Sequence, residues 1–444
     1  MKTVRIGAGA GFSGDRIEPA VELIDKGGLD YVVFECLAER TIALAQERRA
    51  DDPQGGYDPL LAERFEAILE LCRQRGTRVI TNMGAANPAA AGTAVIELAR
   101  RMGLPGLKVA AVMGDDVLSK LDMEAAEILE YPAHLSTLGD RVISANAYMG
   151  IDGIVEALAA GADVVLTGRV GDPALFLAPL VHEFGWARDD WDLLGQGTLI
   201  GHLLECAGQL TGGYFADPGY KDVPDLARLG FPYAEVSADG TAILAKVDGS
   251  GGAITLETCR EQLLYEVLDP ENYIQPDVIA DFSAVELEVV GADRVRVSGA
   301  RGKPKPPHLK VSVGYRDSFA GEGQISYAGS GAVERGRLAI DIIAERFKLM
   351  NLPLIETRYE LIGVDAVNPR EGIASTPREV RVRVVARTET LKQAQAVGNE
   401  VETLYTNGPA GGGGASKSAR QVIAIVSTLI DRRLTDPHVE LEIA

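Results

Sequence analysis

The chain has 444 residues, 46% of them apolar and 24% charged, the composition of a soluble globular protein with two or three domains. Lysine and arginine total 44 against 64 aspartates and glutamates, a formal charge of -20. A surface that acidic repels phosphate, so binding to nucleic acid or to an anionic membrane is not expected.

The four cysteines, Cys36, Cys72, Cys206 and Cys259, form no CxxC pair, which fits a reducing cytoplasm and argues against a disulfide framework or a zinc ribbon. The opening MKTVRIGAGAGF lacks the apolar core of a signal peptide, and no apolar run is long enough for a membrane span. A cytoplasmic protein is expected. Five histidines argue against a multi-histidine metal site, no metal is expected, and no cofactor can be named.

Along the first half, strand and helix patterns alternate. VRIGAG reads as a strand, followed by a glycine loop and the helix-like EPAVELIDKG. YVVFEC is a second strand, and LLAERFEAILELCRQRG an amphipathic helix with Leu61, Phe65, Ile68, Leu69 and Cys72 on one side. RVITNMG, LKVAAVMGDD, RVISANAY and DVVLTGRV supply strands three to six, with helices between. Short strands that are apolar on both faces and separated by helices indicate a parallel sheet, open or rolled into an irregular barrel, flanked by helices. Residues 46–58 are polar and turn-rich, and read as a surface connection or a lid. After about residue 275 strands and helices no longer alternate strictly. An α/β domain over residues 1–275 and an α+β domain over 276–444 are expected.

Gly9, Gly11 and Gly14 match GxGxxG, with Glu35 about 20 residues on. Pro19 argues against a dinucleotide fingerprint, because there it would fall inside the helix; its natural place is the first helical turn. The loop is then longer than the fingerprint needs. It either lines some other ligand, through Gly9, Gly11 and Ser13, or makes a tight turn.

Polar residues gather at the C-terminal ends of the predicted strands: Glu35 with Glu39, Asn82, Asp115, Asn146, and Arg169 with Asp172. Ligands bind at that edge of a parallel sheet. Glu35 and Asp115 are candidate acid/base groups, Asn82 and Asn146 candidates for polarising a carbonyl, and Arg169 with Asp172 candidates for substrate binding. Arg169 either forks onto a carboxylate or pairs with Asp172. Each carboxylate has a plainer role as a helix cap or surface pair.

His202 and Cys206 share a helical face with Glu205 between them, but no third metal ligand and no base for a thiol nucleophile is evident; the run reads first as a half-buried helix. The second glycine cluster, Gly411, Gly412, Gly413 and Gly414, is expected to precede a helix and to offer backbone amides to an anion or carbonyl, or else to be a silent turn. Ser416 stands where a P-loop has glycine, so nucleotide hydrolysis is not expected. RGKPKPPHLK, residues 301–310, is a local basic stretch that reads as a stiff connection or a contact for a coenzyme A phosphate.

GAGFSGDRIEPAVELIDKGGLDYVVFECLAERTIALAQ, LTGRVGDPALFLAPL, LECAGQLTGGYFADPGYKDV and NGPAGGGG, in that order, strongly resemble the acyclic terpene utilisation family. The resemblance implies a setting in bacterial breakdown of citronellol- and geraniol-type terpenes, or of branched acids, as coenzyme A thioesters. It carries over no catalytic residue. Relatives with an extra C-terminal ferredoxin-like module are implied, and this chain is expected to end without one. The expected function is acid/base chemistry, hydration, dehydration or carbon–carbon cleavage, on an acyl-CoA or a carboxylate. The alternatives are an NAD(P)-dependent oxidoreductase using the N-terminal glycines and a non-catalytic pathway subunit. A homo-oligomer is expected on general grounds alone.

Overall fold

The computed structural model describes residues 2–367 and 377–444. The chain divides into two compact units, Met1–Gly314 with Ile425–Ala444, and Tyr315–Ala424. The expected division at 275/276 falls inside the first.

In the first unit, β1 (Thr3–Ala10), β2 (Tyr31–Phe34), β3 (Arg78–Thr81), β4 (Lys108–Met113), β5 (Val142–Ala147) and β6 (Val164–Thr167) alternate with α1 (Glu18–Lys26), α2 (Glu39–Asp51), α3 (Leu61–Arg75), α4 (Pro88–Arg101) and α5 (Asp152–Ala159). Then come α6 (Ala174–Phe184), α7 (Trp191–Leu204), β7 (Pro232–Ser237), β8 (Ala242–Lys246), α8 (Leu256–Leu264), β9 (Tyr273–Ile274), β10 (Ile279–Asp281), β11 (Glu286–Gly291), β12 (Arg294–Ser298) and β13 (Arg301–Lys303). The chain goes on through β14 (His308–Ala328), α9 (Ala332–Leu349), β15 (Glu356–Ile362), β16 (Glu379–Thr388), α10 (Leu391–Glu402), α11 (Leu404–Asn407), β17 (Gly413–Asp431) and β18 (His438–Ile443).

The large sheet has the order β11-β12-β8-β7-β1-β2-β3-β6-β4-β18. Its centre, β1-β2-β3-β6-β4, is parallel as expected. The flanking strands are antiparallel, so the sheet is mixed. β1, β2, β3 and β6 are buried along almost their whole length, the signature of strands covered on both faces. One expected member is missing from this sheet: β5 pairs with β14 instead. β6 already stands between β3 and β4.

The glycine pattern takes another form than a dinucleotide turn. Gly7 and Gly9 lie within β1, and α1 starts only at Glu18, with Pro19 in its first turn. A Cβ on Gly9 would come 2.5 Å from the Phe34 ring, so this glycine serves strand-to-strand packing. Residues 46–51 are the end of α2, not loop, and the following turn is held by Asn87, whose Nδ2 donates to the carbonyls of Pro53 (3.0 Å) and Gly55 (2.9 Å). That tethering favours the surface connection over a lid.

In the second unit the sheet order is β15-β16-β14-β17. With helices between its first and second and its third and fourth strands, this is a ferredoxin-like β-α-β-β-α-β arrangement. Val380, Val382, Val384 and Ala386 of β16 face a core completed by Ala339, Ile343 and Phe347 of α9 and by Val397 and Val401 of α10. The alternate positions include Arg381, Arg383 and Arg387, and Arg383 pairs with Glu322 (2.8 Å) and Glu360 (2.9 Å).

The helix expected after Gly411–Gly414 is a strand, β17. Val422, Ile423, Ile425, Val426, Thr428 and Ile430 are β-branched and favour a pleated backbone. No helix N-terminus exists there, and the surrounding carbonyls, not amides, meet cations: Arg335 Nη1 donates to Ala410 O at 2.8 Å and Arg381 Nη1 to Gly414 O at 3.1 Å.

Among the described residues, no helix is long and apolar enough to cross a membrane. A Cβ on Gly321 would sit 2.0 Å from the Ala394 carbonyl oxygen, whereas Gly413 has open space around it. Gly321→Ala is expected to cost about 1–3 kcal/mol in denaturant unfolding, the usual scale of overpacking, and Gly413→Ala to change little.

Candidate active site

The polar strand ends of the first unit lie beside a cavity of about 710 Å³. Gly11 follows β1, Glu35 follows β2, Glu39 opens α2, and Arg169 and Asp172 follow β6; all five line it, together with Glu205 and Cys206 just past α7. Phe12, Leu37, Tyr214, Leu226, Leu229 and Phe231 make up its apolar part. A Cβ on Gly11 would fall 2.5 Å from the backbone carbon of Cys206, so only glycine lets the first loop close against the α7 end. Tyr214 (φ 62°) and Glu266 (φ 59°), both in the cavity wall, take the left-handed backbone conformation, a strained choice for residues with side chains.

Of the residues expected to act, Glu35, Arg169, Asp172 and Gly11 reach the cavity; Asn82, Asp115, Asn146, Gly9 and Ser13 do not line it. Gly411, Gly412 and Gly413 belong to the second unit. The buried amides and Asp115 nonetheless form the layer behind the wall. Asn82 donates Nδ2 to Glu35 Oε1 at 2.9 Å and accepts from the Cys36 amide at 2.7 Å. Asp115 Oδ2 accepts from Asn146 Nδ2 and from the Arg169 backbone amide, both at 2.9 Å. Burial raises the Asp115 carboxyl to about 6 against the pull of these hydrogen bonds. These three hold other groups in place.

Glu35 accepts a second bond at Oε1, from the Leu37 amide at 2.9 Å. Its Oε2 accepts none among the described residues, which makes Oε2 the seat of a proton. Burial first, then the nearby charge of Asp172, push this carboxyl up to about 8, although Arg169 and the two hydrogen bonds oppose the shift. Glu39 goes the other way. Burial would raise it, but Arg169, the Tyr148 hydroxyl and Lys310, whose Nζ lies 3.2 Å away, hold it down to about 2.

Arg169 is 2% exposed. Its Nη1 donates to Asp172 Oδ1 at 2.5 Å and to the Leu37 carbonyl at 2.7 Å, and the guanidinium stacks over the Tyr148 ring at 4.0 Å. Of the two roles open to it in the sequence, it fills the pairing one. Within the basic stretch 301–310, Lys310 comes to Glu39, while Lys303 donates to Glu271 O and Asn272 Oδ1.

His202 and Glu205 are buried, not half-exposed. His202 Nδ1 lies 2.9 Å from Glu205 Oε1, and Nε2 lies 3.3 Å from the Leu263 carbonyl. A carbonyl only accepts, so Nε2 carries hydrogen and one proton is shared between Nδ1 and Oε1. Burial, opposed by His202, raises the Glu205 carboxyl to about 7. Among the described residues, no group of three or more His, Cys, Asp or Glu could hold a metal ion.

Arg64 escaped the sequence reading. It is wholly buried, and its Nη2 donates to the carbonyls of Ser13 (3.3 Å) and Asp15 (3.1 Å), tying down the glycine loop, while Nη1 meets Cys36 Sγ at 3.0 Å. A signal was present: position 64 falls on the apolar stripe of Leu61, Phe65 and Ile68, where a charge needs a reason.

A family model described as acyclic terpene utilisation family protein AtuA matches residues 4–441. The chain belongs to this family. Membership implies a role in acyclic terpene utilisation. No curated protein and no solved structure matches the chain.

The raised Glu35 has a consequence for stability in this family member. The folded protein holds the carboxyl protonated where the unfolded chain would ionise near 4.5, so the stabilisation is complete below that value and is lost as pH rises to about 8. Glu35→Gln stays neutral throughout. The variant's melting temperature is expected to gain on the wild type by about 2 °C or more between roughly pH 5 and 8, in thermal unfolding followed at each pH.

Proposed function

We propose that this cavity performs acid/base chemistry beside a carbonyl during breakdown of acyclic terpenoids or related branched acids, on a coenzyme A thioester or a carboxylate. Hydration, dehydration and carbon–carbon cleavage all fit. One observation carries the reading: two carboxyl groups on one cavity are driven to opposite protonation states, Glu35 up to about 8 and Glu39 down to about 2. Environments that push such a pair apart assign the acid and the base. Glu35 keeps its proton at neutral pH and presents it from Oε2 to a substrate oxygen. Glu39 stays ionised and takes a proton from carbon or from water. Arg169 steadies the anionic partner, and Asn82 fixes the Glu35 carboxyl plane through Oε1. Asp115 and Asn146 act at one remove, by holding the Arg169 backbone.

Glu35→Gln and Glu39→Gln should each lower kcat on a branched acyl-CoA by roughly 10²–10⁴, the usual worth of a positioned acid or base. Wild-type turnover should fall on the alkaline side with a midpoint near 8 as Glu35 loses its proton. Retention of most turnover by both variants would show that neither group is the acid or the base.

A further inference from the structure

Arg169, the buried cation of the cavity wall, already has its carboxylate. The Arg169 fork is engaged by Asp172, with Nη1 at 2.5 Å from Oδ1 and Nη2 at 3.4 Å from Oδ2. Lys310 stands 3.2 Å from Glu39. Of the Arg169 donors, Nε is the one left without an acceptor among the described residues, and one N–H does not offset two neighbouring carboxylates. Also in the cavity wall, Glu205 is 8% exposed, its Oε1 is taken by His202, and its Oε2 is buried with no partner among the described residues. A buried acceptor left empty is uncommon and marks a place for a donor. At the open mouth Phe12 is 60% and Tyr214 90% exposed, beside the exposed Arg16, whose Nη1 donates to the carbonyls of Leu226 and Ala227.

We infer that the inner cavity admits a branched apolar chain only in uncharged form, as an alcohol, carbonyl or thioester, and turns away the free carboxylate of the same skeleton. This rests on the cavity being the substrate site, and it narrows the substrate class proposed for it. A carboxylate leaving water needs a cation and fixed donors in exchange. Here it would meet a guanidinium already paired and, at Glu39, a second negative charge. A hydroxyl suits the wall better, since it can both donate and accept, where a carboxylate only accepts. The same carboxylate that occupies Arg169, Asp172, is therefore the specificity-determining residue.

The test is calorimetric titration of the full chain at pH 7 with citronellol and, separately, with citronellate. The wild type should bind the alcohol at least tenfold more tightly than the acid. Asp172→Asn, which keeps an acceptor for Arg169 but removes the charge, should raise citronellate affinity at least tenfold and move citronellol less than threefold. Glu39→Gln should shift citronellate the same way by a smaller factor, and serves if Asp172→Asn melts early. Equal or tighter binding of citronellate by the wild type, no gain for citronellate in either variant, or no binding of either probe would each overturn the inference. The readout is binding, so its failure is separate from that of the acid/base assignment. An active Glu35→Gln enzyme with the alcohol preference intact would sink only the assignment, and an inactive one without the preference only the inference.

Discussion

A guanidinium sealed from water must be matched by its surroundings, and the first unit is organised around meeting that demand at Arg169. Its amide is bound by Asp115, its side chain by Asp172 and the Leu37 carbonyl, and its face by Tyr148. Those partners come from the ends of β2, β4, β5 and β6, so compensating one buried charge draws four strand ends to one place. Removing any single partner leaves part of a buried charge uncompensated in a dry setting.

That fixed charge also sorts the carboxyl groups. Glu35 and Glu39 are four residues apart, and both feel Arg169, yet one is pushed up and the other down. The difference lies in what else each meets. Glu39 has Tyr148 and Lys310 as donors, while Glu35 has two weaker amide bonds on a single oxygen, heavier burial and the repulsion of Asp172. The Glu205–His202 pair, by sharing one proton, adds a group that is neutral overall in either form.

Much of this could be read in advance, and for definite reasons. Strands apolar on both faces identify a covered parallel sheet, and ligand chemistry collects at its C-terminal edge, so Glu35, Arg169 and Asp172 were found by position alone. Pro19 located the start of α1 to within one residue, because a proline ring tolerates only the first turn. Asn82, Asp115 and Asn146 had the right address and the wrong depth: a polar residue after a strand can point into the cleft or behind it, and one-dimensional spacing does not tell which. β5 and β17 were misplaced because strand order and a glycine-led change from helix to strand depend on partners distant in the chain.

By itself the sequence determined the alternation of elements, the family, the acidic surface and the residue types gathered at the sheet edge, since these follow from periodicity, composition and local backbone preference. Only the tertiary structure decided that the first glycine loop closes on the end of α7, that Arg169 is taken up by Asp172, and that the Glu35 carboxyl is pushed up while that of Glu39 is held down. Those are matters of burial and of contact between residues as far apart as Gly11 and Cys206, and a proton's affinity for a carboxyl group is set by such neighbours and not by the residue's own identity.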